Sequence, residues 1–279
     1  MPELPEVETV RRSLAPLVGR EVVAVEVISA DVVRGTSPQV FRERLVGRRV
    51  SALDRHGKYL LIRLQPAETV LVHLRMTGRL CLVEGNSPAG RHTHLRITLS
   101  PGGELRYDDQ RRFGGFWLLG AGALPQGFST LGPDALLAPL PPGRLRAALA
   151  RRTGPIKAAL LDQRLMAGVG NIYADEALFR AALHPGRPAN SLRPTEVRRL
   201  LAALGETLRE AVENHGTTIA DFLDGRGEPG LNAQALRVYG RSGLPCEGCG
   251  AVIQKIRVAG RGTHVCPVCQ HLAEARERG

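Results

Sequence analysis

The chain opens Met1-Pro2-Glu3-Leu4-Pro5-Glu6-Val7-Glu8. If Met1 is removed, Pro2 becomes a terminal secondary amine. A terminal α-amino group titrates near ~8, so a useful fraction of it is an unprotonated nucleophile at neutral pH. Such an amine attacks an aldehyde-like carbon and forms a charged iminium, a strong electron sink. Glu3 and Glu6 are candidate acids or bases beside it. The alternative is that Pro5 simply starts a helix, and the spacing alone favours that interpretation.

Charge and composition point to a polyanionic partner. The 279 residues carry a formal net charge of +11 and are long enough for one large domain or two ordinary ones. No apolar run reaches the ~20 residues that span a bilayer, and the N-terminus does not resemble a secretory signal. We therefore expect a soluble, cytoplasmic protein without a membrane partner. Because the positive charge is spread over most of the chain, nucleic acid is the favoured polyanion.

The first half of the chain changes from a helical to an alternating pattern. Apolar residues recur at helical spacing after Pro5, and Gly19 ends the run. From Glu21 the period becomes two, which predicts a strand with Val23, Val25 and Val27 on one side. Similar runs follow at Tyr59–Leu64, Thr69–Leu74, Leu95–Leu99 and Phe116–Leu119. Residues 1–131 are thus predicted to form an N-terminal helix followed by an antiparallel β-sandwich, the first part of an α+β fold.

The second half is predicted to be helical, with a cysteine-rich tail. Residues 132–144 are rich in proline and form a predicted linker, 145–235 a helical domain and 236–279 a C-terminal hairpin. One predicted helix covers Ile156–Met166, and Asn171 is the predicted N-cap of the next. Thr195 is the predicted N-cap of a third helix, which ends before Gly216.

Four cysteines follow the pattern of a metal site: Cys246-x2-Cys249-x16-Cys266-x2-Cys269. Thiolates at this spacing fold two knuckles around a tetrahedral zinc ion, and a closed four-thiolate shell leaves no open position for chemistry. The sequence therefore predicts one structural zinc ion. Two disulfides are the alternative, and the expected reducing compartment disfavours them.

Motifs along nearly the whole chain resemble those of the bacterial formamidopyrimidine-DNA glycosylases. In order these are PELPEVETVRR, HGKYLLIRL, HLRMTGRL, DQRRFGGFWL, GVGNIYADEALF and GRGTHVCPVCQ. Each is weak alone, and their ordered combination is specific. The opening PELPE resembles the branch that acts on oxidised purines, whereas the endonuclease VIII branch usually begins PEGPE. The resemblance implies a helix–two-turn–helix in the helical domain and a zinc hairpin after it.

The resemblance also implies catalytic roles. Pro2 matches the nucleophile that attacks C1′ of a damaged nucleotide, and Glu3 matches the general acid/base. Glu6 matches a carboxylate that orients the amine or the substrate. Lys58 matches a lysine that donates a proton during elimination and binds phosphate, and Arg261 matches the hairpin arginine that grips the lesion phosphate.

Further matches concern DNA binding. Met76, Arg111 and Phe113 match the side chains that fill the space left by an everted base, although core packing is the commoner role of Met and Phe. Contacts to the DNA backbone are implied for His92, Arg152, Lys157 and Asn171. The match of Arg152 to a family residue is the least direct, because its segment is one residue longer than in some relatives. His94 is a lesser candidate for DNA binding. Residues 217–239 match the loop that closes on the lesion.

These implications together predict a monomeric DNA-repair enzyme acting on damaged double-stranded DNA. It would be both a glycosylase for oxidised purines, such as 8-oxoguanine and formamidopyrimidines, and a lyase that cleaves the strand by β- and δ-elimination. Two alternatives stay open at this point. An endonuclease VIII-like enzyme for oxidised pyrimidines would share nearly all of these residues, and a non-enzymatic zinc-hairpin DNA-binding protein would explain the charge and the cysteines.

Overall fold

The computed structural model describes residues 1–83, 88–120 and 124–272, and the chain forms two compact units. Unit 1 contains residues 1–130 and 211–233, and unit 2 contains 131–210 and the chain from 234 onward. Residues 211–233 fall within the range predicted as the helical domain, but they cluster with unit 1. The last seven residues of the predicted C-terminal hairpin, 273–279, lie outside the described residues.

Unit 1 is built on a long antiparallel sheet and two helices. The helices are α1 (Leu4–Ser13) and α2 (Pro38–Leu45). The strands are β1 (Glu21–Val27), β2 (Arg49–His56), β3 (Tyr59–Gln65), β4 (Glu68–His73), β5 (Gly78–Val83), β6 (Thr93–Ser100), β7 (Glu104–Asp109) and β8 (Gly115–Leu118). Their order in the sheet is β5-β7-β6-β1-β2-β3-β4-β8, and every neighbouring pair is antiparallel.

The sheet folds over a single core and so forms the predicted sandwich. Only Glu21 and Arg49 are paired between β1 and β2, which leaves two four-stranded halves. Apolar side chains from both halves line one small internal cavity: Val22, Ile97, Leu99 and Leu105 from one half, and Val50, Ile62, Leu64 and Val70 from the other. The two halves therefore face each other across a shared apolar layer.

The predicted face of β1 is wrong in one position. Val22 and Val25 are buried, whereas Val23 is 51% exposed. A β-bulge between Val22 and Ala24 causes the difference, because one extra residue moves the following side chains to the other face.

Unit 2 is helical and carries a hairpin. Its helices are α3 (Pro142–Ala150), which starts inside the predicted linker, α4 (Ile156–Leu161), α5 (Asn171–Arg180) and α6 (Pro194–Glu213), whose last three residues cluster with unit 1. The hairpin strands are β9 (Gln254–Val258) and β10 (Arg261–Val265). Three predictions need correction. The helix from Ile156 ends at Leu161 rather than Met166, and Gly170 rather than Asn171 is the N-cap of α5. Thr195 is not an N-cap, because α6 already begins at Pro194. None of the helices in the described ranges is long and apolar enough to cross a membrane.

Asp162 explains the early end of α4. Its Oδ1 accepts a hydrogen bond of 3.0 Å from the backbone N–H of Arg164. An aspartate that bonds to the backbone two residues ahead favours a turn over a continued helix.

Candidate active site and nucleic-acid interface

The start of the chain is packed into unit 1. Met1 is exposed, but Pro2 is buried, and α1 begins two residues later. Glu3 and Glu6 form a capping box, in which Glu6 Oε2 accepts a hydrogen bond of 2.8 Å from the backbone N–H of Glu3. Both carboxylates are almost fully buried. The segment therefore starts a helix, and this structural role is compatible with the predicted chemical role of Pro2 and Glu3.

Glu6 also contacts a distant segment of the same unit. Its Oε1 accepts a hydrogen bond of 2.8 Å from the backbone N–H of Thr217, which is itself buried. Gly216 has a φ of +78°, and a Cβ there would lie 3.1 Å from Glu6 Oε1. One carboxylate thus joins the N-terminal residues to the first residue of the predicted lesion loop.

A charged network fixes α1 against β2. Glu8 is buried and accepts hydrogen bonds from Arg11, Arg12 and the buried guanidinium of Arg55. Burial alone would raise the pKa of Glu8, but the hydrogen bonds from Arg11 and Arg12 and the positive charges of Arg11 and Arg55 lower it to about 2. The carboxylate therefore stays ionised across the neutral range and holds the helix that carries the terminal segment.

Lys58 lies at a tight turn in the same unit. Gly57 and Lys58 connect β2 to β3, between the paired residues His56 and Tyr59. Gly57 has a φ of +57°, which a two-residue hairpin turn requires at its first central position. The Lys58 side chain is largely buried.

Two loops of unit 1 present the residues predicted to fill the DNA duplex. The first, residues 74–77, connects β4 to β5 and carries Met76; the second, residues 110–114, connects β7 to β8 and carries Arg111 and Phe113. Met76 is 40% exposed and Phe113 is 49% exposed. Cζ of Arg111 lies 4.5 Å from the ring centroid of Phe113. Core packing, the alternative for Met76 and Phe113, does not fit these exposures.

The two histidines considered for DNA binding have different surroundings. His92 is exposed. His94 is buried, and its ring nitrogens lie 2.9 Å from Ser29 Oγ and 2.9 Å from the carbonyl oxygen of Asp109. His94 therefore stabilises the sandwich, whereas His92 is available to a partner.

Of the residues assigned to unit 2, Asn171 and Lys157 contact Gly262 at the start of β10, and Arg152 pairs with Asp162. Asn171, the first residue of α5, donates a hydrogen bond of 3.0 Å from Nδ2 to the carbonyl oxygen of Gly262. Arg152 pairs with Asp162 at 2.7 Å and is partly exposed. Arg261 is exposed and follows a turn in which Ala259 and Gly260 both have positive φ values, as a type I′ hairpin turn requires.

Lys157 is fully buried, with no exposed side-chain surface. Its Nζ lies 2.7 Å from Asp175 Oδ1 and donates hydrogen bonds of 3.1 Å to the carbonyl oxygen of Gly262 and 2.7 Å to Thr263 Oγ1. Asp175 in turn accepts a hydrogen bond of 2.9 Å from the backbone N–H of His264. This geometry does not support direct contact between Lys157 and a DNA phosphate. It anchors the zinc hairpin to α4 and α5 instead.

The four cysteines meet at the end of the hairpin. The Sγ atoms of Cys246, Cys249, Cys266 and Cys269 all lie within 4.8 Å of one another. The Sγ separations are 3.9 Å for Cys246 and Cys269 and 3.4 Å for Cys249 and Cys266. Four sulfurs at about 2.3 Å from a tetrahedral zinc ion would be about 3.8 Å apart. The cluster therefore fits one structural zinc ion, and the cysteines are not paired as disulfides.

Three segments of the chain match family models in the order of the fold. Residues 1–116 match the formamidopyrimidine-DNA glycosylase N-terminal domain, residues 131–222 match the H2TH domain of formamidopyrimidine-DNA glycosylase, and residues 243–272 match the zinc finger found in FPG and IleRS. The chain belongs to the formamidopyrimidine-DNA glycosylase family. It is thus an enzyme, a DNA glycosylase of DNA repair, and the non-enzymatic alternative is wrong.

Individual relatives and solved structures agree with this assignment. The formamidopyrimidine-DNA glycosylase of Symbiobacterium thermophilum is 49% identical over 98% of this chain and 90% of its own length. That of Pelotomaculum thermopropionicum is 46% identical over 97% of this chain and 99% of its own. A Lactococcus lactis FPG variant, solved with DNA containing Fapy-dG, superposes with a TM-score of 0.89 at 36% identity, covering 97% of this chain and all of that one. The L. lactis enzyme with abasic-site DNA gives a TM-score of 0.87.

Several structurally important residues of this chain were not identified from the sequence. Asp109, Asp175 and Thr217 are all buried and make the contacts that order neighbouring segments. No local signal separates Asp109 from its neighbour Asp108, and the contacts of Asp175 and Thr217 reach 89 and 211 residues along the chain. Only the folded structure brings these partners together.

Proposed function

We propose that this chain removes oxidised purines from duplex DNA and then cleaves the strand through a Schiff base on Pro2. The observation that carries the proposal is the buried Pro2-Glu3 terminus, which Glu6 holds against Thr217. A relative solved with Fapy-dG DNA supports the substrate class. 8-Oxoguanine is the second proposed substrate, and the cytoplasm is the proposed compartment of a monomeric enzyme.

The chemistry begins after removal of Met1. The nitrogen lone pair of Pro2 forms a bond to C1′ of the damaged nucleotide, the glycosidic bond breaks, and its electron pair leaves with the base. Glu3 donates a proton to the sugar ring oxygen or to the leaving base. Opening of the sugar ring then gives a cationic iminium between Pro2 and C1′. No oxidant or reductant is consumed.

The iminium makes strand cleavage possible. Loss of a proton from C2′ moves an electron pair towards the cationic nitrogen, and the bond from C3′ to its phosphate oxygen breaks. A second elimination releases the 5′ phosphate, and water then hydrolyses the iminium, which returns Pro2 as a free amine and leaves the sugar fragment as an aldehyde. Lys58 is the proposed proton donor for the first elimination, and Arg261 binds the lesion phosphate with its planar guanidinium.

DNA binding is assigned to exposed and partly exposed residues of both units. His92, Arg152 and Asn171 are proposed backbone contacts, whose affinity should fall with rising salt. Met76, Arg111 and Phe113 occupy the space of the everted base: the apolar side chains wedge between bases, while Arg111 hydrogen-bonds the orphaned partner.

Borohydride trapping tests the mechanism. Borohydride reduces the iminium to a stable amine, so the wild-type protein should become covalently attached to lesion DNA, with the attachment mapped by mass spectrometry to Pro2. Pro2→Gly should lose most of this trapping and keep its affinity for lesion DNA. Pro5→Gly, which changes the other proline of the segment but not the terminus, is the matched control and should still trap.

Three results would count against the proposal. Loss of DNA affinity in Pro2→Gly would make Pro2 a structural residue. If the intact mass of the active protein still includes Met1, the nitrogen of Pro2 is part of a peptide bond and cannot be the nucleophile. Faster cleavage of duplexes with oxidised pyrimidines than of those with oxidised purines would assign the chain to the endonuclease VIII type of activity.

A further inference from the structure

The two loops that carry Met76 and Phe113 meet at one buried carboxylate. The strand register pairs Gly78, just after the first loop, with Asp109, just before the second. Asp109 is completely buried. It therefore lies beneath both loops at the same end of the sheet.

Asp109 accepts hydrogen bonds from both loops and from the strand between them. Oδ1 accepts from Thr77 Oγ1 at 2.5 Å and from the backbone N–H of Arg111 at 3.2 Å. Oδ2 accepts from Tyr107 Oη at 2.8 Å and from the backbone N–H of Gly114 at 2.9 Å. The first loop is held by its last residue, and the second is held near both of its ends. All four donors are neutral groups.

Other contacts leave little space for an alternative arrangement. Thr77 Oγ1 also accepts a hydrogen bond of 3.1 Å from the backbone N–H of Arg111, so the two loops contact each other directly. A Cβ at Gly114 would lie 2.0 Å from Tyr107 Oη, which means that the second loop approaches Tyr107 more closely than a side chain would allow. Burial raises the pKa of Asp109, but the hydrogen bonds from Thr77, Gly114, Tyr107 and Arg111 hold it below its ordinary value. The acceptor is therefore ionised whenever the enzyme works near neutral pH.

We propose that Asp109 is a positioning residue that holds the two loops in one arrangement before DNA arrives, so that Met76 and the Arg111–Phe113 pair enter the duplex together. The inference rests on the proposed function, in which these side chains fill the space of the everted base. Eversion breaks the stacking and pairing of the base and therefore costs free energy. Loops that are already ordered do not add their own ordering entropy to that cost.

Asparagine is the sharpest substitution because it keeps the shape and removes an acceptor. An amide has one acceptor oxygen and one NH2 group, which cannot accept. Thr77 and Tyr107 can turn their hydroxyls to accept from the NH2, but a backbone N–H cannot. With the NH2 group in the position of Oδ2, the N–H of Gly114 loses its acceptor. With the NH2 group in the position of Oδ1, the N–H of Arg111 loses its bond to residue 109 and keeps only the bond to Thr77 Oγ1.

The test compares two substrates. The first is a duplex with a lesion, which requires eversion, and the second is a single-stranded abasic oligonucleotide of the same sequence, which has no base to evert and no duplex to fill. For Asp109→Asn we expect single-turnover excision from the duplex to fall on the order of tenfold, as the loss of a buried hydrogen bond implies. Borohydride trapping on the single strand should stay within about twofold, because Pro2 and Glu3 are untouched.

Two further variants sharpen the comparison. Thr77→Val removes the bond from the first loop to Asp109 and the bond that Thr77 Oγ1 accepts from Arg111. Asp109 keeps its other three bonds, so excision from the duplex should fall by a smaller factor. Asp108→Asn is the matched control: Asp108 is next in sequence, but its Oδ1 accepts a hydrogen bond from Thr93 Oγ1 outside both loops. It should leave both rates unchanged.

A binding measurement in which no bond is cleaved tests this inference separately from the proposed mechanism. A duplex with a non-cleavable tetrahydrofuran abasic analogue and 2-aminopurine beside it reports wedge insertion as a fluorescence change at saturating protein. The wild type and Asp108→Asn should give the full change, and Asp109→Asn less than half of it. Equal losses on both cleavage substrates, or an unchanged fluorescence signal in Asp109→Asn, would overturn the positioning role. A wild-type protein that traps neither substrate would refute the proposed mechanism, while the fluorescence signal would still decide the role of Asp109.

Discussion

Two roles can be tested for Lys157, the buried lysine of unit 2: contact with a DNA phosphate, and anchoring of the zinc hairpin. As a phosphate contact, Lys157 would contribute to DNA affinity and little to stability. In the structure its ammonium is enclosed by Asp175 Oδ1 at 2.7 Å, Thr263 Oγ1 at 2.7 Å and the carbonyl oxygen of Gly262 at 3.1 Å. Lys157→Met keeps most of the side-chain volume and removes the charge. It leaves Asp175 as a buried carboxylate that has lost its cation and keeps the hydrogen bond from the backbone N–H of His264, whose ring Nδ1 lies 3.5 Å from Oδ2.

The expected loss follows from the burial of both partners. Breaking a buried ion pair by removing one member costs about 3–5 kcal/mol, because the other charge stays away from water without compensation. We therefore expect Lys157→Met to lower the free energy of unfolding by about 3–5 kcal/mol. The double variant Lys157→Met/Asp175→Asn should be more stable than Lys157→Met alone, since the unpaired charge is then gone. Lys255→Met, on an exposed position of the same hairpin, should change stability by less than about 0.5 kcal/mol.

Urea unfolding and salt-dependent DNA binding are the two assays. Unfolding monitored by circular dichroism gives the stabilities and the coupling between Lys157 and Asp175. The slope of the logarithm of the binding constant against the logarithm of the salt concentration falls by about 0.9 for each phosphate that the protein no longer neutralises. We expect this slope to be unchanged in Lys157→Met under conditions where the variant is folded. Unaltered stability together with a slope smaller by the equivalent of one phosphate would refute the anchoring role.

Two further predictions concern Glu8 and the zinc site. Because the pKa of Glu8 is lowered from 4.5 to about 2, its stabilising contribution is complete above pH 4.5 and disappears as the pH falls towards 2. Glu8→Gln should be less stable than the wild type at pH 7, and the difference in urea midpoint should shrink below pH 4.5. A difference that stays constant with pH would contradict a stabilising role of the ionised Glu8 carboxylate. Chelation of zinc should make the four hairpin cysteines reactive to a thiol reagent and abolish DNA binding, and both effects should reverse when zinc is returned. Full DNA binding by the metal-free protein would show that the hairpin keeps its structure without the metal.

The sequence was informative where the physical signal is local. The cysteine spacing predicted the thiolate cluster, and the helical and alternating patterns predicted α1 and several strands. Local signals failed where one residue alters the register: the bulge between Val22 and Ala24 exposes Val23, and the Asp162 turn ends α4. Neither feature changes the hydrophobic pattern enough to be recognised beforehand.

The roles of the buried charges required the structure. A lysine in a strongly basic chain is expected to bind a polyanion, and its sequence does not reveal that Asp175, 18 residues away, encloses it. The same holds for Asp109, which is one of two adjacent aspartates and differs from the other only in what the fold places around it. The structure brings the four zinc cysteines together. The catalytic and DNA-binding residues stay predictions, which the trapping and DNA-binding experiments test.

The division of the chain into units has a consequence for protein synthesis. Unit 1 is completed by residues 211–233, which leave the ribosome only after eighty residues of unit 2 have been made. Until then, the nascent N-terminal segment lacks the partners that Glu6, Ser13 and Leu82 find at Thr217 and Gly225. A fragment that stops at residue 130 would have the whole sheet and still miss these bonds, so truncation is a poor way to isolate the first unit.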